Sequence, residues 1–145
     1  MKKVRTWSVL VARAEARVAA ALGVVAAANR RLREVAASAA RLDALHADYV
    51  ARLRTTQSAP HSMVDNMMYR RYIDHVETLQ RRLAEKQAAV SAELAAAKGE
   101  HLAAQTECMK FRHLMEREAG RLLLEQREKE QAETERAAIA QFNRR

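Results

Sequence analysis

The sequence predicts an all-α protein, a long antiparallel two-helix coiled-coil hairpin with an overhanging C-terminal helix. Apolar residues recur in alternating steps of four and three on both sides of a single interruption. That interruption, Thr55 to Asn66, contains the only proline among 145 residues. Composition agrees: 49% of the residues are apolar, but only 4% are aromatic and 3 are glycine. Much of the apolar share is alanine, which favours helix and buries little area. With abundant Glu, Arg and Leu, this is the composition of long helices rather than of a thick core.

The first helix is expected over about 4–57. Trp7, Val11, Ala14, Val18, Ala21, Val25, Ala28, Leu32, Val35, Ala39, Leu42, His46, Tyr49 and Leu53 follow the four-three alternation without a break. Such a stripe lies on one helix face and predicts a left-handed coiled coil. Leu10, Leu22 and Leu45 flank it and are expected to widen it. Alanines along the stripe should let a partner helix approach to about 8 Å. His46 reads as a histidine tolerated near the seam, since no further metal ligands share its spacing.

A turn is expected over about 58–62. Pro60 lacks an amide hydrogen and disfavours helical geometry at Ala59, so the first helix should stop there. Ser62 and Asp65 have the spacing of a capping box that restarts a helix. A stop followed so closely by a start folds the chain back on itself.

The second helix is expected over about 63–142. Tyr69, Ile73, Val76, Leu83, Val90, Leu94, Ala97, Ala104, Phe111 and Met115 continue the stripe, with Gln80, Gln87 and His101 falling on it and Leu79 on its flank. The i,i+4 pairs Glu77–Arg81, Arg81–Glu85, Arg112–Glu116 and Glu125–Lys129 support the helix from its outer face. At 1.5 Å per residue the helices should measure roughly 75–80 Å and 120 Å. Antiparallel pairing then puts Trp7 near Phe111 or Arg112. Beyond about Met115 the second helix should project without a partner. Residues 125–136 contain no large apolar side chain, and Leu122, Leu123, Leu124, Ile139 and Phe142 are left without an internal one.

The net charge is +8, and the excess sits early: residues 1–54 hold eleven Lys/Arg against four Asp/Glu. A basic stripe can serve nucleic acid. Without a recognition module, a Gly-rich phosphate loop or an aromatic stacking platform, an acidic protein partner fits it better. No nucleophile–base pair, paired-carboxylate site or metal motif is present, so neither catalysis nor a cofactor is expected. Cys108 is the single cysteine, which fits a reducing compartment. Met1-Lys2-Lys3 before an apolar stretch resembles a signal peptide, but Arg13, Glu15 and Arg17 interrupt it. The following uncharged run, Val18 to Asn29, is shorter than the roughly 20 residues a bilayer needs. A soluble, cytosolic protein is expected.

Beyond these patterns, particular residues carry a resemblance. Ala14-Glu15-Ala16-Arg17-Val18 followed by Ala21-Leu22-Gly23, then Asp48 to Leu53, then Tyr69-Arg70-Arg71-Tyr72-Ile73-Asp74-His75-Val76-Glu77 resemble successive landmarks of the FliJ family. Asn66 departs from the family's spacing by one residue. The injectisome stalk proteins of the YscO/SctO type look alike at this level. The resemblance implies the central stalk of a type III protein export system, flagellar or virulence-associated, cytoplasmic and peripheral to the inner-membrane export apparatus. Its open end would enter a hexameric export ATPase, with Lys2, Lys3, Arg5, Arg13 and Arg17 as the candidate contacts. Its turn end would reach the cytoplasmic domain of the export gate through Tyr72, Val76, Leu79 and Leu83. Export chaperones are implied as further partners, and a monomer is expected. Two other classes stay open here. A dimeric coiled-coil scaffold would reveal itself by its mass, and a basic nucleic-acid-binding helix pair by a steep salt dependence.

Overall fold

The computed structural model describes residues 2–58 and 63–144. They form two long helices that pack against each other, α1 (Lys2–Gln57) and α2 (Met63–Asn143). The chain divides into two compact units, Met1–Ala20 with His101–Arg145, and Ala21–Glu100. The expected stop at Pro60 and the Ser62 half of the capping box lie outside the described residues. On the near side, the Ser58 amide donates to the Arg54 carbonyl at 3.3 Å, and its hydroxyl lies 3.0 Å from that oxygen and 2.9 Å from the carbonyl of Thr55. These contacts satisfy carbonyls that the end of a helix leaves free. Asp65 sits in the first turn of α2, where a carboxylate favours the positive end of the helix dipole.

The four-three stripe is the packed face. Every α1 stripe residue named above is buried or half-buried, and so is every stripe residue of α2, including Gln80, Gln87 and His101. Small side chains are the most completely covered: Ala14 is 2% exposed and Ala28 1%. Contacts of this kind are made where backbones come close. Of the flanking leucines on α1, Leu10 is half-buried but Leu22 and Leu45 are exposed. An alanine-rich seam is narrow, so leucines one step off its line are left at the edge rather than widening it.

In the unit holding both ends of the chain, the tilted rings of Trp7 and Phe111 lie with centroids 6.2 Å apart. Arg112 donates to Glu15 at 2.8 Å and Arg17 to Glu107 at 3.4 Å. In the other unit, Arg31 meets Glu93, Gln80 donates to Asp43, and His46 faces Glu77. In the unit Ala21–Glu100 the partner numbers on α2 fall, 93, 80 and 77, as those on α1 rise, 31, 43 and 46. Arg112 and Glu77 thus reach across to the other helix, although the charge of Glu116 on its own helix also acts on Arg112. A residue beside the seam has a cross-helix partner as close as its i,i+4 neighbour. Glu125 likewise pairs with Arg121, one turn before it, instead of with Lys129.

The half-buried positions run past Met115 to Glu118 and Leu122, continuing the four-three steps. Their extension matches the start of α1 at Lys2, which also leaves Val4 half-buried. From Leu123 to Arg144 every residue is exposed.

Candidate interaction sites

The four apolar residues singled out near the start of α2 separate by environment. Val76 lies on the packed stripe at 3% exposure, whereas Tyr72, one turn earlier, is 42% exposed. Tyr72 stands in a cluster of three tyrosines, 5.4 Å from Tyr49 and 6.5 Å from Tyr69, the latter edge-on. Tyr49 and Tyr69 themselves lie 6.4 Å apart. Offset and edge contacts of this kind bring together the positive edge of one ring and the negative face of another. Both Tyr49 and Tyr69 are on the stripe, so they hold Tyr72 from beneath while much of its ring stays in solvent. Arg52 adds a polar edge. Its guanidinium pairs with Asp48 at 3.2 Å, and that carboxylate, with a hydrogen bond to Tyr69, raises the Arg52 pKa above its ordinary value.

Leu79 and Leu83 are half-buried. With Leu42 and Leu45 of α1 they wall an open groove of about 420 Å³, bordered by Ser38, Arg41, Arg82 and Lys86. Arg82 and Lys86 stand one turn apart on α2, a like-charge spacing that costs a helix a few tenths of a kcal/mol. The side chains of Arg41 and Ser38 are joined by a 3.0 Å hydrogen bond. This groove is not evident in the stripe itself. It arises because Leu45 and Leu79 both fall on the flank, and only pairing the helices brings the two flanks side by side.

The basic set of the other unit is distributed differently. Lys2, Lys3, Arg5 and Arg13 are exposed, and no described carboxylate pairs with them. Arg17 is instead engaged with Glu107, though both side chains remain well solvated. Pairs of this exposure contribute little to stability and leave the cation available. Lys3 also acts at longer range on Glu118, whose carboxyl is held below its ordinary pKa chiefly by its hydrogen bond to Arg121. Beyond them, α2 presents Leu123, Leu124, Ile139 and Phe142 as exposed apolar side chains.

Among the described residues no three His, Cys, Asp or Glu side chains are grouped to hold a metal ion. His46 instead lies 3.1 Å from Glu77. Among the described residues no helix is long and apolar enough to cross a membrane. Both candidate regions are open surfaces rather than enclosed pockets.

No curated protein and no solved structure matches the chain. Residues 5–145 match the family described as flagellar FliJ protein, and the chain belongs to that family.

Proposed function

We propose that this protein is the non-enzymatic central stalk of a flagellar protein export apparatus, acting at the cytoplasmic side of the membrane. The observation that carries the reading is the match of residues 5–145 to the flagellar FliJ protein family. The falling partner numbers in the unit Ala21–Glu100 support an antiparallel coiled coil, and the exposure of every residue from Leu123 to Arg144 supports a C-terminal overhang. The turn expected over 58–62, most of it outside the described residues, would complete a single hairpin, for which a monomer suffices.

Lys2, Lys3, Arg5, Arg13 and Arg17 contact the ring of a hexameric export ATPase. The four that lack a carboxylate partner are the ones most open to acidic groups on such a ring. A single hairpin inside a six-fold ring meets identical subunits inequivalently, so it biases their states one at a time or promotes assembly of the ring. Tyr72, Leu79 and Leu83 contact the cytoplasmic domain of the export gate, with Val76 beneath them fixing their positions. Export chaperones are further partners of the same stalk.

The decisive experiment is stimulation of the export ATPase by the full chain. Arg13→Glu combined with Lys3→Glu should reduce stimulation severalfold while helicity is unchanged. Arg17 is better tested by exchanging it with Glu107, which keeps the cross-helix pair and moves the cation. Full stimulation by both variants would remove the basic set from the ATPase contact. No stimulation by the unaltered chain would overturn the stalk reading.

A further inference from the structure

The groove walled by Leu42, Leu45, Leu79 and Leu83 has a chemical character that the export reading does not require. Its walls are aliphatic and come from both helices, while its border carries Arg41 from α1 and Arg82 and Lys86 from α2. Among the described residues none of the three cations has a carboxylate partner. Arg41 is bonded only to the Ser38 hydroxyl. Leu45 is 39% exposed, so the apolar surface is open to a visitor. Three like charges thus border an apolar trough, and among the described residues no ion pair offsets their repulsion.

We propose that this groove receives an acidic amphipathic helix. Apolar anchors of that helix lie between the leucines of α1 and α2, and carboxylates flanking the anchors meet Arg41, Arg82 and Lys86. Laying the apolar face of one helix into a groove between others is a recurring recognition mode. Charge complementarity selects the occupant. A second copy of this chain, docked symmetrically, would bring Arg41, Arg82 and Lys86 against themselves. A nucleic acid would satisfy the cations but leave the aliphatic walls covered by phosphate and sugar, with no aromatic ring on which to stack a base. Because Leu79 and Leu83 are shared with the export-gate contact, the inference rests on that reading and names the chemistry of the segment received there.

The test uses the full chain and a labelled synthetic helical peptide with leucines at i, i+3 and i+7 flanked by glutamates. Fluorescence anisotropy should show saturable binding. Affinity should fall about tenfold or more when the leucines become glutamine, when the glutamates become lysine, or when the protein carries Arg82→Glu with Lys86→Glu. Leu45→Gln, at an exposed position, should weaken binding with little change in melting. Failure of the acidic peptide to bind, or equal binding by the charge-reversed protein, overturns the proposal. So does equal binding by the glutamine peptide or a DNA duplex, which would reduce the groove to a patch of charge. A dimer in light scattering that dissociates with Leu45→Gln overturns it in favour of self-association. The gate contact is separated by Tyr72→Ala, outside the groove. If that variant loses the gate's cytoplasmic domain while Arg82→Glu with Lys86→Glu retains it and the peptide does not bind, the gate reading stands and this one falls.

Discussion

Trp7 and Phe111 meet with ring centroids 6.2 Å apart and planes tilted by 41°, the aromatic contact nearest the start of the chain. The separation lies inside the range in which aromatic pairs attract beyond simple burial. It also fixes the register of the two helices in that unit, since a slip by one turn on either would replace a ring with a smaller or charged side chain.

A double-mutant cycle checks this. Trp7→Ala and Phe111→Ala should each lower stability by about 1–3 kcal/mol, less than for a fully buried ring because both are half-exposed. Their coupling should be about 0.5–1.5 kcal/mol. Strictly additive losses in chemical denaturation would mean that the rings are neighbours without an energetic link.

The alanine seam gives a second expectation. Ala28 is 1% exposed, so Ala28→Leu inserts volume at a fully covered position of the seam and should cost about 1–3 kcal/mol. The same change at exposed Ala47 should be nearly neutral. Equal melting temperatures for the two variants would show that the seam is looser than its burial indicates.

Glu118 supplies a pH dependence. Its carboxyl pKa is lowered first by the hydrogen bond from Arg121 and further by the charges of Arg121 and Lys3. A depressed folded-state value means that the ionised carboxylate is stabilised by folding. That contribution is complete above the unfolded value, about 4.3 for glutamate, and is lost as pH falls through the lower folded value. In a carbon-detected titration Glu118 should titrate below the ordinary glutamate value, and Arg121→Gln should return it toward that value. A Glu118 midpoint unmoved by Arg121→Gln would assign the shift elsewhere.

How much of this was legible beforehand depends on the kind of information. The stripe was read residue by residue, down to the polar Gln80, Gln87 and His101, because a period of 3.5 is written directly in the order of residues. The Trp7–Phe111 neighbourhood followed from folding that stripe about Pro60. What escaped was set by the second helix. Helix spacing pairs Arg112 with Glu116, whose charge does act on it, but its guanidinium bonds to Glu15, because pairing adds a partner that helix periodicity cannot list. Leu22 and Leu45 were expected to widen the seam, but alanine neighbours make it too narrow to cover them. The groove beside Leu45 is not visible in the order of residues because half of its aliphatic wall and two of its three cations belong to the other helix.

Val76 and Tyr72, one turn apart on α2, should respond oppositely to truncation. Val76 is 3% exposed and lies on the packed stripe, so Val76→Ala removes buried methyl groups and should cost about 1.5–3 kcal/mol. If the gate contact is carried by the outward residues, its affinity should be nearly unchanged once the protein is folded. Tyr72 is 42% exposed and rests on Tyr49 and Tyr69, so Tyr72→Ala loses part of an aromatic cluster and should cost about 1 kcal/mol or less. Binding of the gate's cytoplasmic domain should nevertheless fall about tenfold, because exposed tyrosines held rigidly by neighbours make strong anchors. Thermal melting and calorimetric titration on the same two variants decide the matter. A large stability loss for Tyr72→Ala with binding retained would place Tyr72 in the core and move the contact to Leu79, Leu83 and the groove they wall.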